Sequence, residues 1–336
     1  MLRLLHPYLR QACATVNSIS RLSRRPICSP GDPSVIIPYS ESMTSVPLND
    51  NQDGEKFVCD EEPHMMGPPL TPGYMPLDLD QTLSTSKGSL KILRKLGWGK
   101  SSSVWLAKWL DGQVVGNYVA VKILTCGESV LAVSEGRFEI HALAAMSQAA
   151  ESHPGRAYCP TSVAIGSAAS PHGKHLCIFL QPYSLSLAAF RAHPAFKHLV
   201  TLDLIKSTVR GLLSALDFLH SLGFVHTDVK DDNLLLALQS QPDVITDFLR
   251  EHPSTTHPPR NEPELSPTPI VTVKSESLPP LGKALDDPVF HLSDFGCAIR
   301  TSDITPEMCA MPTPLRAPEI VLGALWLTFG RLAAWR

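Results

Sequence analysis

Along one short stretch, His226-Thr227-Asp228-Val229-Lys230-Asp231-Asp232-Asn233, stand a carboxylate, an amine two residues on and a carboxamide five residues on. A second carboxylate opens Asp294-Phe295-Gly296 further down the chain. Phosphoryl transfer asks a protein for little covalent chemistry; it needs groups that position a hydroxyl and offset charge. Asp228 can accept the proton of an attacking hydroxyl, and Lys230 can steady the moving phosphoryl group. Asn233 and Asp294 can hold magnesium against nucleotide phosphates.

Such a site requires a phosphate-binding lid and a lysine on a strand upstream. Leu96-Gly97-Trp98-Gly99-Lys100-Ser101-Ser102-Ser103-Val104 has the form of a hairpin lid. Gly97 and Gly99 carry no Cβ, so the backbone can come close to phosphates, with Trp98, Ser102 and Val104 completing the nucleotide-facing segment. In Val119-Ala120-Val121-Lys122, strand alternation sends Ala120 and Lys122 to one face and the two valines to the other. Lys122 can then pair the α- and β-phosphates. Its expected ion-pair partner is Glu139, on a helix whose Phe138, Leu143 and Met146 face inward, with Glu135 as the alternative one turn earlier.

Strands are expected around 90–96, 103–109 and 117–124, and a helix near 131–149. Leu176 to Leu180 reads as a last buried strand running into Gln181-Pro182-Tyr183-Ser184. By position this connects two lobes and meets an adenine ring through the Gln181 carbonyl and the Tyr183 amide, with Leu180 guarding the pocket behind. Leu202 to Leu222 forms a long amphipathic helix (Ile205, Val209, Leu212, Leu213, Leu216, Leu219), with Gly223 as its C-cap. Strands at 234–238 and 289–292 flank an insertion. Asp294 lies 61 positions after Asn233, and residues 242–288 are Pro-rich with a short helix at Val244–Arg250. A long loop of this kind is disordered or functional.

The order of these motifs identifies the chain as a member of the eukaryotic-type protein kinases. Thr227 in His-Thr-Asp, the Gly97-Trp98-Gly99 lid leading to Val104-Trp105, the spacer before Asp294, and Leu315-Arg316-Ala317-Pro318-Glu319 resemble the serine/arginine-rich-protein-specific kinases, in particular their fungal relatives. The resemblance covers residues 88–323. It implies an α+β, two-lobed protein-kinase fold, ATP and Mg2+ as cofactors, and phosphorylation of serine or threonine in arginine/serine-rich protein substrates. Thr227 stands where an arginine commonly grips an activation-loop phosphate, so activity should not depend on that phosphorylation. Thr301, Ser302 and Thr305 then read as plain loop residues. Asp231-Asp232 departs from the family's usual Pro-Glu.

The flanks read differently. Residues 1–31 hold Arg3, Arg10, Arg21, Arg24 and Arg25 and no acidic residue, as a mitochondrial transit peptide does; the alternative is a basic tail on a cytoplasmic or nuclear protein. Residues 32–86 are rich in Pro, Ser, Asp and Gly, the composition of a disordered linker. Residues 87–183 make the upper lobe and 184–323 a partial lower lobe. From 324 to 336 the chain no longer resembles the family, so the lower lobe is expected to be incomplete. The competing function is therefore an inactive fragment serving as a binding module. A net charge of −3 in 336 residues offers no bulk attraction for nucleic acid. The eight cysteines never form C-x-x-C and read as reduced thiols. No apolar run reaches the length of a membrane span, and a monomer is expected.

Overall fold

The computed structural model describes residues 59–304, apart from 69–70, 112–116, 135–138, 150–151, 161, 239–241 and 264. The leader, Glu135, Phe138, Thr305 and the 315–323 motif, with everything expected of the lower lobe beyond them, lie outside the described residues.

β-Branched and aromatic runs separated by Gly-containing turns build an antiparallel upper sheet: β1 (Thr82–Thr85), β2 (Gly88–Gly99), β3 (Ser102–Trp109), β4 (Tyr118–Leu124), β5 (Ser162–Ser170) and β6 (Gly173–Leu180), in the order β1-β2-β3-β4-β6-β5. Period-two alternation gives the sheet two different faces. Val119 and Val121 turn to one side with Leu90, Ile92, Trp105, Trp109 and Phe179 in an apolar cluster. Ala120 and Lys122 turn to the other, opposite Leu180 and Ile178 of β6. Helices α1 (Cys126–Ser134) and α2 (Glu139–Gln148) occupy the stretch where one helix was expected. Ala142, Leu143 and Met146 of α2 are buried in a second cluster with Phe218, Leu219, Phe290 and Phe295 of the lower lobe. That shared core sets one lobe on the other.

The lower lobe contains β7 (Tyr183–Ser186), α3 (Leu187–Ala192), α4 (Leu202–Ser221), β8 (Phe224–Val225), β9 (Leu234–Ala237), α5 (Pro242–Glu251), β10 (Phe290–Leu292) and β11 (Ile299–Arg300). Thr201 caps α4 by accepting from the Leu204 amide, and Gly223 just past its end takes φ +80°, the left-handed turn that favours glycine. The buried face of α4 is Leu204, Gly211, Ala215, Phe218 and Leu219. This corrects the face read from periodicity: Ile205, Val209 and Leu213 are exposed among the described residues. None of the described helices is long and apolar enough to cross a membrane.

The segment expected to be disordered and the insert read as disordered or functional are both packed onto the upper lobe, the insert with a helix over the stretch expected to form one. Of the 32–86 linker, residues 59–86 contribute edge strand β1 and bury Met66, Tyr74, Met75, Leu77 and Leu83. The reason is a charge. Two register shifts in β2, at Ile92/Arg94 and Lys95/Gly97, accompany the burial of both Arg94 and Lys95. Lys95 is 1% exposed; its ammonium lies 2.9 Å from Glu61 Oε2 and also bonds Glu62. Against its burial, hydrogen bonds from Ser275 and Lys95 hold Glu61 below the ordinary carboxylate range, while burial pushes Glu62 above it. A buried ammonium needs such partners.

The Pro-rich insert supplies the third member of this cluster. Ser275 gives Glu61 its amide at 2.8 Å and its hydroxyl at 2.7 Å. Arg94 bonds the His252 carbonyl at 3.0 Å and the Glu276 carboxylate at 3.2 Å, and its guanidinium lies 5.2 Å over the Phe248 ring. Ile245 of α5 and Leu278 pack with Leu106, Leu96 and Tyr118 of the upper sheet. The insert is ordered because it buries apolar side chains.

A polar chain fastens the inter-lobe connection. The Gln181 amide donates to the Tyr183 hydroxyl at 2.8 Å, which stands 3.1 Å from His291 Nδ1; the His291 ring also bonds the Cys159 carbonyl. Burial pushes the His291 imidazole down to about 4.

Two outcomes are expected. Replacing Lys95 by Met removes the shared counter-ion of two buried carboxylates, leaving Glu61 only its hydrogen bonds from Ser275 and a contact with His257, and should cost about 3–5 kcal/mol in denaturant unfolding; adding Glu61→Gln and Glu62→Gln should restore much of it. The unfolded His291 binds a proton that the folded one refuses, so stability is full above pH ~6.5 and falls toward pH ~4. Its share of the loss at pH 5 is about 2 kcal/mol, and His291→Asn should remove that share from the pH profile. Parallel profiles for the two proteins would refute the assignment.

Candidate active site

Lys122 sits at the centre of the cleft between the lobes. Its ammonium is 2.7 Å from Glu139 Oε1 and 2.9 Å from Asp294 Oδ1. β4 supplies the lysine, the first turn of α2 the glutamate, and the segment after β10 the aspartate. Although burial opposes its charge, Asp294 and Glu139 raise the Lys122 ammonium well above its ordinary range. Lys122 in turn pulls the Asp294 carboxyl down to about 2. Burial pushes Glu139 up, against the attraction of Lys122. Lys122 and Asp294 are thus charged at any physiological pH.

The catalytic-loop residues gather on one bend between β8 and β9. Asn233 donates through Nδ2 to the Asp228 carbonyl at 2.8 Å and to Asp228 Oδ2 at 2.9 Å. Lys230 Nζ lies 3.0 Å from the same Oδ2; burial opposes its charge, but Asp228 raises its affinity for the proton. The Asn233 carbonyl accepts from the Ser293 amide at 2.8 Å and from its hydroxyl at 3.0 Å, which sets Asn233 beside the residue preceding Asp294. His226 is buried and bonds the Ser293 carbonyl at 2.9 Å; burial lowers its basicity, and its ring stands 5.0 Å from that of Phe295.

Two residues on these loops adopt left-handed backbone, Thr227 at φ +65° and Asp294 at φ +57°. That is uncommon for any residue with a Cβ and rarer still for a β-branched one. The Thr227 hydroxyl donates to the Cys297 carbonyl at 2.6 Å, tying the catalytic bend to the segment after Asp294 without any phosphate. Pairing of β8 with β11 continues the tie. Thr301 is not the plain loop residue expected: its amide and hydroxyl both donate to the Gly223 carbonyl, at 2.9 and 3.0 Å.

The lid follows the expected strand pairing, with Gly97 opposite Val104 and Gly99 opposite Ser102. A Cβ placed at Gly97 or Gly99 would meet nothing within 4 Å, so packing does not require glycine there and the open side faces the cleft. Trp98 requires a correction. It was expected among the nucleotide-facing residues, but strand alternation turns its ring outward, edge-on to Tyr74 at 6.0 Å and 5.9 Å from Lys95 Nζ. Ala120 and Ser102 are buried and Val104 is half-buried. Gln181 and Tyr183 lie at the expected lobe connection, where the Tyr183 side chain serves the polar chain to His291. Sequence reading missed Tyr74, Glu61 and Glu62, which lie before the motif-bearing region; a lysine at an apolar strand position, Lys95, was the available signal.

The donor set fits a divalent cation. Both Asn233 amide hydrogens are directed at Asp228, which leaves its Oδ1 to act as a ligand, and the Asp294 carboxylate is about half open to the cleft with Oδ1 on Lys122. Oxygen donors of this kind suit Mg2+, which keeps several waters and takes its remaining ligands from phosphates.

Residues 90–250 match the family model of the protein kinase domain. The chain is similar to a serine/threonine-protein kinase SRPK of Physarum polycephalum, 29% identical over 76% of this chain and 60% of the relative. It is 30% identical to a serine/threonine protein kinase of Aspergillus fumigatus, over 70% of this chain and 53% of the relative. Similarity to protein kinase dsk1 of Schizosaccharomyces pombe is 30% over 53% of this chain and 31% of the relative. The chain thus spans between about half and three fifths of the length of the first two relatives. Taken with the Lys122–Glu139–Asp294 centre, these matches make the chain a protein-kinase-fold protein that resembles the serine/arginine-rich-protein-specific kinases.

Proposed function

We propose that the chain transfers the γ-phosphoryl group of ATP to a serine or threonine hydroxyl of a protein substrate. The observation that carries this reading is the position of Lys122, bonded to Glu139 and Asp294 at one end of a cleft whose other wall holds Asp228, Lys230 and Asn233. In the transfer the substrate oxygen bonds to the γ-phosphorus while the bond to the β–γ bridging oxygen breaks and ADP departs. Asp228 takes the hydroxyl proton, and Lys230, already on Asp228, offsets charge on the moving group. Lys122 orients the α- and β-phosphates. Asn233 and Asp294 would hold Mg2+, which when bound neutralises phosphate charge.

The substrate we favour is an arginine/serine-rich segment. Relatives named as kinases of that type support this, and so does the loop's charge. Asp231 and Asp232 follow Lys230 at the cleft mouth, and the Arg191 guanidinium rests 2.9 Å from Asp231. Arg191 thus occupies Asp231, and the exposed Asp232 carboxylate beside it is the acceptor for a substrate guanidinium.

The purified full-length chain, given ATP, Mg2+ and an arginine/serine peptide, should phosphorylate serine. Asp228→Asn should lower the rate about 100- to 10,000-fold, the usual contribution of a positioned base. Transfer no faster than that of the Asp228→Asn protein would overturn the proposal. Because Thr227 makes the tie to Cys297 with its own hydroxyl, prior treatment with a broad phosphatase should leave the rate unchanged; a severalfold drop would show dependence on a phosphate.

A further inference from the structure

The lid is held from outside by a residue that precedes the matched domain. Tyr74 is 4% exposed, and its hydroxyl donates to the Gly99 carbonyl at 2.8 Å, with the Lys100 carbonyl at 3.1 Å. Burial keeps this phenol protonated by pushing its pKa far up, so it acts as a donor throughout the working pH range. Its ring meets Trp98 edge-on, with centroids 6.0 Å apart and planes at 85°.

The side from which Tyr74 acts follows from strand register. Trp98 pairs with Ser103, and Val104 pairs with Lys122. Adjacent residues of a strand point to opposite faces, so Trp98 and Tyr74 lie on the face away from Lys122. A trans peptide unit is planar, with its N–H directed opposite its carbonyl. Drawing the Gly99 and Lys100 carbonyls toward Tyr74 therefore directs the following N–H groups toward the Lys122 side, where backbone N–H groups attract anions.

We infer that Tyr74 is a positioning residue of the nucleotide site, latching the glycine lid at Gly99 and Lys100 so that its amide edge faces the phosphates. The anchor of the latch is strong. Residues flanking Tyr74 pack on the sheet through Met75 and Leu77, and the same N-terminal stretch is pinned through Glu61 and Glu62 to Lys95, three residues before Trp98. The segment ahead of the domain is thus part of its active site.

This inference rests on the kinase reading, and the test separates the two. The full-length chain and Tyr74→Phe, which removes one hydroxyl from a buried ring, are compared in three measurements. Steady-state transfer to the arginine/serine peptide should show KM for ATP raised about fivefold with kcat within twofold, the effect of losing one hydrogen bond. Without nucleotide, amide hydrogen exchange across residues 96–106 should be faster in Tyr74→Phe. The melting temperature should stay at the wild-type value. A purely structural tyrosine would instead lower the melting temperature and kcat together and leave KM alone. An unchanged KM overturns the latch. If the wild-type chain transfers no phosphate, the kinase reading fails by itself, and unchanged exchange across 96–106 then overturns the latch independently.

Discussion

One ammonium group, that of Lys122, determines how the two halves of this protein meet. It is supplied by a strand of the upper sheet, yet its two carboxylate partners come from a helix and from a lower-lobe loop. Removing Lys122 leaves Glu139 buried without its counter-ion, which costs several kcal/mol; removing either carboxylate leaves the ammonium with a single partner. The relative placement of strand, helix and loop is therefore enforced by electrostatics at one point and by the apolar cluster of Leu143, Met146, Phe218 and Phe295 around it. Catalytic geometry and lobe packing are the same constraint seen at two scales.

A second ammonium does comparable work further from the chemistry. Lys95 collects Glu61 and Glu62 from one direction, while Glu61 collects Ser275 from another. Segments separated by more than two hundred positions are thereby joined on the outer side of the sheet. Neither segment has the composition of a folding unit, and each becomes ordered by satisfying a partner that the sheet presents.

What could be read from sequence, and what could not, divides along this line. Lys122, Asp228, Asn233 and Asp294 were legible because phosphoryl transfer demands those groups at characteristic spacings, and helix periodicity located Glu139. Trp98 was misassigned because a motif identifies the loop but not the face to which each side chain turns; alternation from Val104 and Lys122 decides that. The structure of residues 59–86 was hidden by local composition. Nothing local to Glu61 and Glu62 announces a contact; their partner, Lys95, stands thirty-odd positions later. In the insert, Ile270, Val273 and Leu278 are buried but scattered among prolines, so no period announces them. The face of α4 was only half right: Leu212, Leu216 and Leu219 do pack on the core, but Ile205, Val209 and Leu213 are exposed, and contacts with the cluster around Phe224 and Phe290 select Leu204, Ala215 and Phe218 instead.

The path of the insert has a mechanical consequence. It leaves the lower lobe after β9, lays Ile245 and Leu278 against Leu106 of the upper sheet, and returns to the lower lobe at β10. The Leu278 carbonyl also accepts from Ser184, within the lobe connection itself, at 2.9 Å. A two-lobed protein with one connecting strand can gape widely; this one carries a strap across the same gap. Swinging the lobes apart must shear that strap off the sheet, which favours a narrow breathing motion over a wide opening.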